Sequence, residues 1–180
     1  MKKTILTFGL ISGAISSLMM IATMPFQDKL GHSYLLGYTT LVLSFLLVFF
    51  GIRSYRDNIG GGQITFMRAL GVGLAITLIS CVFYVVTWEI VYFNFMHDFM
   101  DKYGAHEIEK ARAAGATQAA LEAQRQQFQK LKVMYENPFF NAALTFLEPA
   151  PVGLVITLIS ALILKRKQRS EPAPAPLTAS

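Results

Sequence analysis

The sequence is poor in charged residues and has one cysteine. Only 15% of its 180 residues are Asp, Glu, Lys or Arg, and 53% are hydrophobic. Soluble domains usually carry about 25% charged residues, so this composition indicates an integral membrane protein. The cysteine, Cys81, has no partner for an intrachain disulfide, and its place in an apolar run predicts a packing role.

The sequence also lacks the motifs of common catalytic and metal sites. It contains no HExxH, CxxC or P-loop pattern. Three glycines at 60–62 therefore predict a tight turn and not a phosphate site. His97 and Asp101 have the spacing of two ligands on one helix face, but two ligands do not make a metal site. We expect a non-enzymatic protein with no cofactor and no bound metal.

Four apolar runs are long enough to cross a bilayer as helices, which takes about 20 residues each. They cover about 4–24, 34–52, 69–93 and 140–164. The predicted fold is all-α: a polytopic membrane domain over 1–168 with four transmembrane helices in contact with the lipid bilayer. The Pro- and Ala-rich segment 169–180 is predicted to be a disordered tail.

The first run could instead be a secretory signal peptide, since Lys2 and Lys3 precede it. The run is longer than a signal peptide needs, and Pro25 stands where a cleavage site would be. These features favour an uncleaved helix.

The basic residues predict the orientation of the chain. Most flank the ends of the apolar runs on the side that carries both termini: Lys2, Lys3, Arg53, Arg56, Arg68, Lys165, Arg166, Lys167 and Arg169. In the loop 94–139, acidic residues offset the basic ones. The positive-inside rule therefore predicts cytoplasmic termini and an external loop. This distribution explains the net charge of +5 without a nucleic acid partner.

The segment at about 98–137 is predicted to form a helical outer loop. It is rich in good helix formers, and one helical stripe contains Leu121, Phe128, Leu131 and Tyr135. Two interpretations remain open: the loop caps the bundle, or it offers a docking surface to a partner.

Small residues recur every four positions in three of the predicted helices, beginning at Gly9 and Gly13 in the first, Gly73 in the third and Gly153 in the fourth. Such seams let membrane helices approach closely. The third and fourth helices also share the near-identical segments "GLAITLIS" (73–80) and "GLVITLIS" (153–160). These run antiparallel at the same depth, either as an inverted repeat or by chance similarity.

A carboxylate near two prolines is the least expected feature of the fourth helix. Glu148 lies about 25 Å from Lys165 along a helix, which places it near the outer interface, and Glu89 falls at the same level. The candidate polar cluster is Glu148, Glu89, Asn141, Thr145 and His97. Pro149 and Pro151 remove two backbone donors and predict a helix kink.

Glu148 has two possible roles. It could fix the bundle by hydrogen bonding to the third helix, or it could handle protons or cations, as ionisable groups at membrane depth often do.

Two longer stretches, "GGGQITFMRALGVGL" (60–74) and "ENPFFNAALTFLEPAPVGLVITLISALILKRK" (136–167), together with the four-helix layout, resemble the bacterial domain-of-unknown-function family 4199. The resemblance implies a small protein of the bacterial inner membrane with no assigned activity. It supplies no catalytic residues.

Two functional hypotheses follow. The chain supports a membrane or envelope process by binding a membrane protein or a second copy of itself, or it is a small oligomeric transporter or channel-like protein that uses its glutamates.

The orientation is testable with reporter fusions. Fusions after Arg56 and after Lys167 should report cytoplasm, and a fusion at Gly115 should report the exterior. A cytoplasmic signal at Gly115 would contradict the predicted orientation.

Overall fold

A computed structural model describes residues 2–23 and 34–166 of the chain. Its helices are α1 (Lys2–Thr23), α2 (Tyr34–Asn58), α3 (Phe66–Phe95), α4 (Phe99–Ala113), α5 (Gln118–Tyr135), α6 (Pro138–Phe146) and α7 (Pro149–Leu164). The predictions for Pro25 and for the tail 169–180 fall outside the described residues.

The four predicted spans are confirmed. The helices long and apolar enough to cross a membrane are Lys2–Thr23, Gly37–Asn58, Phe66–Phe95 and Pro138–Leu164, the last comprising α6 and α7. Large apolar side chains cover their outer surface, for example Leu18 and Ile163, each 65% exposed. The chain is therefore a multi-pass membrane protein whose apolar surface contacts lipid.

Two helices are longer than their apolar runs. The second extends to Asn58, past the predicted end at 52, and the third begins at Phe66 instead of 69. Thr65 caps α3 by accepting a hydrogen bond from the backbone N–H of Arg68 at 3.3 Å. The predicted bounds follow the apolar side chains. The helices are longer because their backbone hydrogen bonds continue through the polar residues at the ends of these runs.

The fourth span is interrupted at Leu147 and Glu148, between α6 and α7. Pro149 occupies the first position of α7, where its missing N–H costs little. The carbonyl of Thr145 accepts a hydrogen bond from the N–H of Glu148 at 3.3 Å. A tighter turn thus satisfies the carbonyl that Pro149 would otherwise leave unpaired, as a membrane interior demands.

The two similar segments of α3 and α7 pack directly against each other. Gly73 faces Thr157, and Gly153 faces Thr77. The hydroxyl oxygens of Thr77 and Thr157 lie 3.0 Å apart. This reciprocal pairing gives the crossing a local two-fold relationship and satisfies both hydroxyls inside the membrane.

A second close contact joins α1 to α3. A methyl group at Gly9 would come within 2.8 Å of Ile79, and one at Gly13 within 2.7 Å of Phe83. Ser80 donates a hydrogen bond to the carbonyl of Gly9 at 3.1 Å. The predicted small-residue seams therefore lie at helix contacts, with α3 central to both.

The end of the bundle that carries the described termini is closed by a tight turn. Gly61 and Gly62 adopt positive φ angles of 60° and 81°, which explains the glycines without a phosphate site. Just beyond, Ile64 and Arg166 exchange backbone hydrogen bonds of 3.3 and 2.9 Å. The loop after α2 and the end of α7 are thereby joined.

The opposite end carries the predicted helical loop, a hairpin of α4 and α5. Gly115 turns the chain with a φ of 85°, and Thr117 caps α5. Gly104 of α4 lets Phe128 of α5 pack closely. Lys132 donates to both carboxylate oxygens of Asp101, at 2.8 and 2.7 Å. Both helices therefore form one unit, hereafter the α4–α5 hairpin.

The glycine contacts predict that a bulky side chain destabilises the protein at Gly73 and Gly153 but not at Gly71. Gly73→Leu and Gly153→Leu should each destabilise the bundle by about 1–3 kcal/mol, because the new side chains collide with Thr157 and Thr77. Gly71→Leu is the matched control, since among the described residues no atom beyond its chain neighbours and its own helix backbone lies within 4 Å of a methyl group there. Thermal unfolding in detergent measures the difference. Equal midpoints for all three variants would contradict the observed crossing.

Candidate functional site

A buried polar cluster joins the α4–α5 hairpin to the membrane spans. It consists of Trp88 on α3, Tyr135 on α5, and Asn141 and Thr145 on α6. The indole N–H of Trp88 donates to the Tyr135 hydroxyl at 2.8 Å. Asn141 donates to the Tyr135 carbonyl at 3.3 Å, and Thr145 donates to Asn141 Oδ1 at 3.1 Å. Three separate helices are thus held by one chain of hydrogen bonds.

Local sequence places these side chains. Asn137 caps α6 by accepting from the N–H groups of Phe139 and Phe140. Asn141 and Thr145 then share one face of α6, four residues apart, as their spacing predicts. Asn141 is fully buried and Thr145 nearly so. Buried amide and hydroxyl groups of this kind need the partners that the cluster supplies.

Aromatic rings enclose the cluster. Phe99, the first residue of α4, packs edge-on against Trp88 at 4.9 Å between ring centroids. Tyr92 packs edge-on against Tyr135 at 5.1 Å. Burial raises the pKa of Tyr135, while the neighbouring Thr145 hydroxyl and Trp88 indole lower it. The phenol therefore stays protonated at neutral pH and keeps its role as a hydrogen-bonding group.

Glu148 occupies a second polar contact, at the interruption of the fourth span. Tyr84 on α3 is buried and donates its hydroxyl to Glu148 Oε2 at 3.3 Å. Taken as a whole residue, Glu148 is exposed on the surface of the chain. One carboxylate oxygen is thus tied to α3, and the residue still reaches outward.

The structure does not join all five predicted residues. Glu89 lies five residues beyond Tyr84, which turns it about 140° around α3 from the side that meets Glu148. Its Oε1 is enclosed and has no hydrogen-bond partner among residues 2–23 and 34–166. His97 is exposed in the turn before α4. Asn141 and Thr145 belong to one cluster, whereas Glu148, Glu89 and His97 lie at separate places.

The sequence patterns did not identify Tyr84, Trp88 and Tyr135 as members of polar contacts. The first two suggest an interfacial aromatic belt, and Tyr135 suggests an amphipathic stripe. A signal is nevertheless present, because buried Tyr and Trp side chains usually find a partner for their polar atom.

The α4–α5 hairpin carries an open, charged cleft of about 370 Å³. Its charged lining residues are Asp101, Glu109, Arg112, Arg125 and Lys132. The hydrogen bonds from Lys132 to Asp101 raise the pKa of that lysine. Arg112 pairs with Glu109 at 2.7 Å. The cleft therefore presents both signs of charge.

No arrangement of three His, Cys, Asp or Glu side chains that could hold a metal ion occurs in the described part of the chain.

The chain matches the family described as "Protein of unknown function (DUF4199)" over residues 7–166. The protein belongs to the DUF4199 family. No curated protein and no solved structure matches the chain. The match includes the second, third and fourth spans, the α4–α5 hairpin and the first span from residue 7 onward. The resemblance inferred from 60–74 and 136–167 is therefore confirmed. DUF4199 membership assigns no activity to the polar cluster or to Glu148.

The hydrogen bond between Trp88 and Tyr135 predicts a loss of stability when it is removed. Tyr135→Phe leaves the buried indole N–H without an acceptor, which should cost about 1–3 kcal/mol. Trp88 is the only tryptophan, so its emission should shift to shorter wavelength when the hydrogen bond is lost. Tyr38→Phe, at a residue 48% exposed, is the control and should change neither property. Unchanged emission in Tyr135→Phe would show that the hydrogen bond does not form.

Proposed function

We propose that this protein is a non-enzymatic component of the bacterial inner membrane that supports an envelope process by binding a partner protein with its α4–α5 hairpin. The observation that carries the proposal is the anchoring of the hairpin to two spans through Tyr135. A loop that served only as a connection between α3 and α6 would not require a buried hydrogen-bond chain on both sides.

Rigid anchoring favours recognition. A surface held in one conformation loses less entropy when a partner binds than a mobile loop does. The cluster fixes the hairpin at its base, and the pair between Asp101 and Lys132 fixes its two helices to each other. The cleft is thereby presented in a defined orientation to the bundle.

The charges of the cleft indicate the kind of partner. A nucleic acid would be met by a predominantly basic surface, whereas this cleft combines Asp101 and Glu109 with Arg112 and Arg125. Paired charges of both signs suit a polypeptide with complementary acidic and basic side chains, because electrostatic complementarity gives specificity and faster association.

Site-specific photocrosslinking tests this proposal. A benzophenone amino acid at Gln129, which lines the cleft, should form one discrete adduct in cells. The same group at Gln126 of α5, which is exposed but does not line the cleft, is the matched control. The adduct at position 129 should disappear with Arg125→Glu, and mass spectrometry should identify the same protein repeatedly.

Two outcomes would contradict the proposal: equal crosslinking at positions 129 and 126, or an adduct unaffected by Arg125→Glu. If the adduct contains only a second copy of this chain, the hairpin mediates self-association and does not bind a partner protein.

A second candidate, proton or cation transport by an oligomer, is favoured by Glu148. A partly exposed carboxylate at an interrupted span is costly against lipid unless water or another subunit covers it. Its hydrogen bond from Tyr84 holds it on one side only.

Flux measurements separate the two candidates. In proteoliposomes we expect no proton or cation flux above empty vesicles, and we expect Glu148→Gln, which keeps the acceptor for Tyr84, to remain folded. Glu148→Leu should reduce folded yield, because Tyr84 then loses its acceptor. A flux that Glu148→Gln abolishes without loss of folded protein would favour transport instead.

A further inference from the structure

The exposed surface of α5 changes character toward its end. From Glu122 to Lys130 the exposed side chains are polar, charged or alanine. In the last turn, Val133 and Met134 are 69% and 49% exposed. Phe139, at the start of the fourth span, is 86% exposed. Exposed apolar side chains therefore lie on both sides of the short connection between α5 and the fourth span.

The hydrogen bond at Tyr135 sets the depth of this turn. Trp88 lies about 10 Å before the end of α3 at Phe95. Side chains of a helix lean toward its N terminus, so the indole lies no closer to that end than its own Cα. The Tyr135 hydroxyl is 2.8 Å from the indole nitrogen, and Val133 and Met134 adjoin Tyr135. Val133 and Met134 are therefore within about one side-chain length of the indole, and they lie no farther from the bundle than about the level of Phe95. Phe95 is itself 77% exposed.

We propose that the last turn of α5 inserts into the lipid interface on the hairpin side of the membrane, with Val133 and Met134 in contact with the upper acyl chains. Phe95 and Phe139 contribute to the same apolar rim. A helix segment with apolar residues at the headgroup–acyl boundary is stabilised there by burial of those side chains. The α4–α5 hairpin is thus seated on the bilayer as well as on the bundle.

This inference does not depend on partner binding or on which side of the membrane carries the hairpin. It concerns the end of α5 nearest the spans, whereas the charged cleft includes Arg125 and Gln129.

Site-directed spin labelling of the full chain tests the inference. Cys81 is the only cysteine, so Cys81→Ala gives a background for single labels at Val133→Cys and Met134→Cys. Gln126→Cys is the water-exposed control, two turns earlier on the same face as Val133, and Leu162→Cys is the lipid-exposed control. Each variant is reconstituted in vesicles of phosphatidylethanolamine and phosphatidylglycerol. Unchanged Trp88 emission of each cysteine variant before labelling confirms folding, since a nitroxide near Trp88 would itself quench that emission.

Labels at 133 and 134 should collide several-fold more often with oxygen relative to a water-soluble nickel chelate than the label at 126. Their ratio should approach that at 162. Ratios at 133 and 134 equal to that at 126 would overturn the proposal. Protection from both reagents, or spin–spin broadening, would also overturn it, because a protein or a second copy would then cover the turn.

Discussion

Close approach of helices at glycines is the constraint on which the rest of this structure depends. Apolar side chains are about as stable in lipid as between helices, so membrane helices associate through close packing and hydrogen bonds. Gly73 and Gly153 let α3 and α7 come near enough for the hydroxyls of Thr77 and Thr157 to meet at 3.0 Å. Larger residues would separate the two hydroxyls and remove this hydrogen bond between the helices. Packing and polar satisfaction are therefore the same requirement at this crossing.

The third span connects these helix crossings to the α4–α5 hairpin. It packs on α1 and α7 along its length, and near its end Trp88 holds Tyr135 of α5. Because Tyr135 also accepts from Asn141 through its backbone carbonyl, movement of the hairpin would disturb α6 as well. Buried polar networks of this kind are stabilising only while every member is satisfied. The rings of Phe99 and Tyr92 pack edge-on against Trp88 and Tyr135 and add apolar contacts to this network.

Sequence patterns predicted the spans, the seams and the helical nature of the hairpin, because each depends on local periodicity and composition. The interruption before Pro149 also follows from local chemistry. The polar contacts were harder, since periodicity gives the depth and face of a residue but not the rotation of its helix against a neighbour. Glu89 and Glu148 share a predicted level, yet Tyr84 is the residue of α3 that meets Glu148. Likewise, the stripe containing Tyr135 predicted a packed face without indicating Trp88 as its partner.

These contacts bear on the choice between a static and a moving protein. Transport by rocking of helices would require α3 and α7 to slide, which separates Thr77 from Thr157, or α5 to leave α3, which separates Tyr135 from Trp88. The buried indole N–H of Trp88, if left unpaired, costs about 1–3 kcal/mol. Glu148 differs, since one side of it is already exposed at a break in the span. A bundle with fixed helix crossings is better suited to present a surface than to alternate between two conformations.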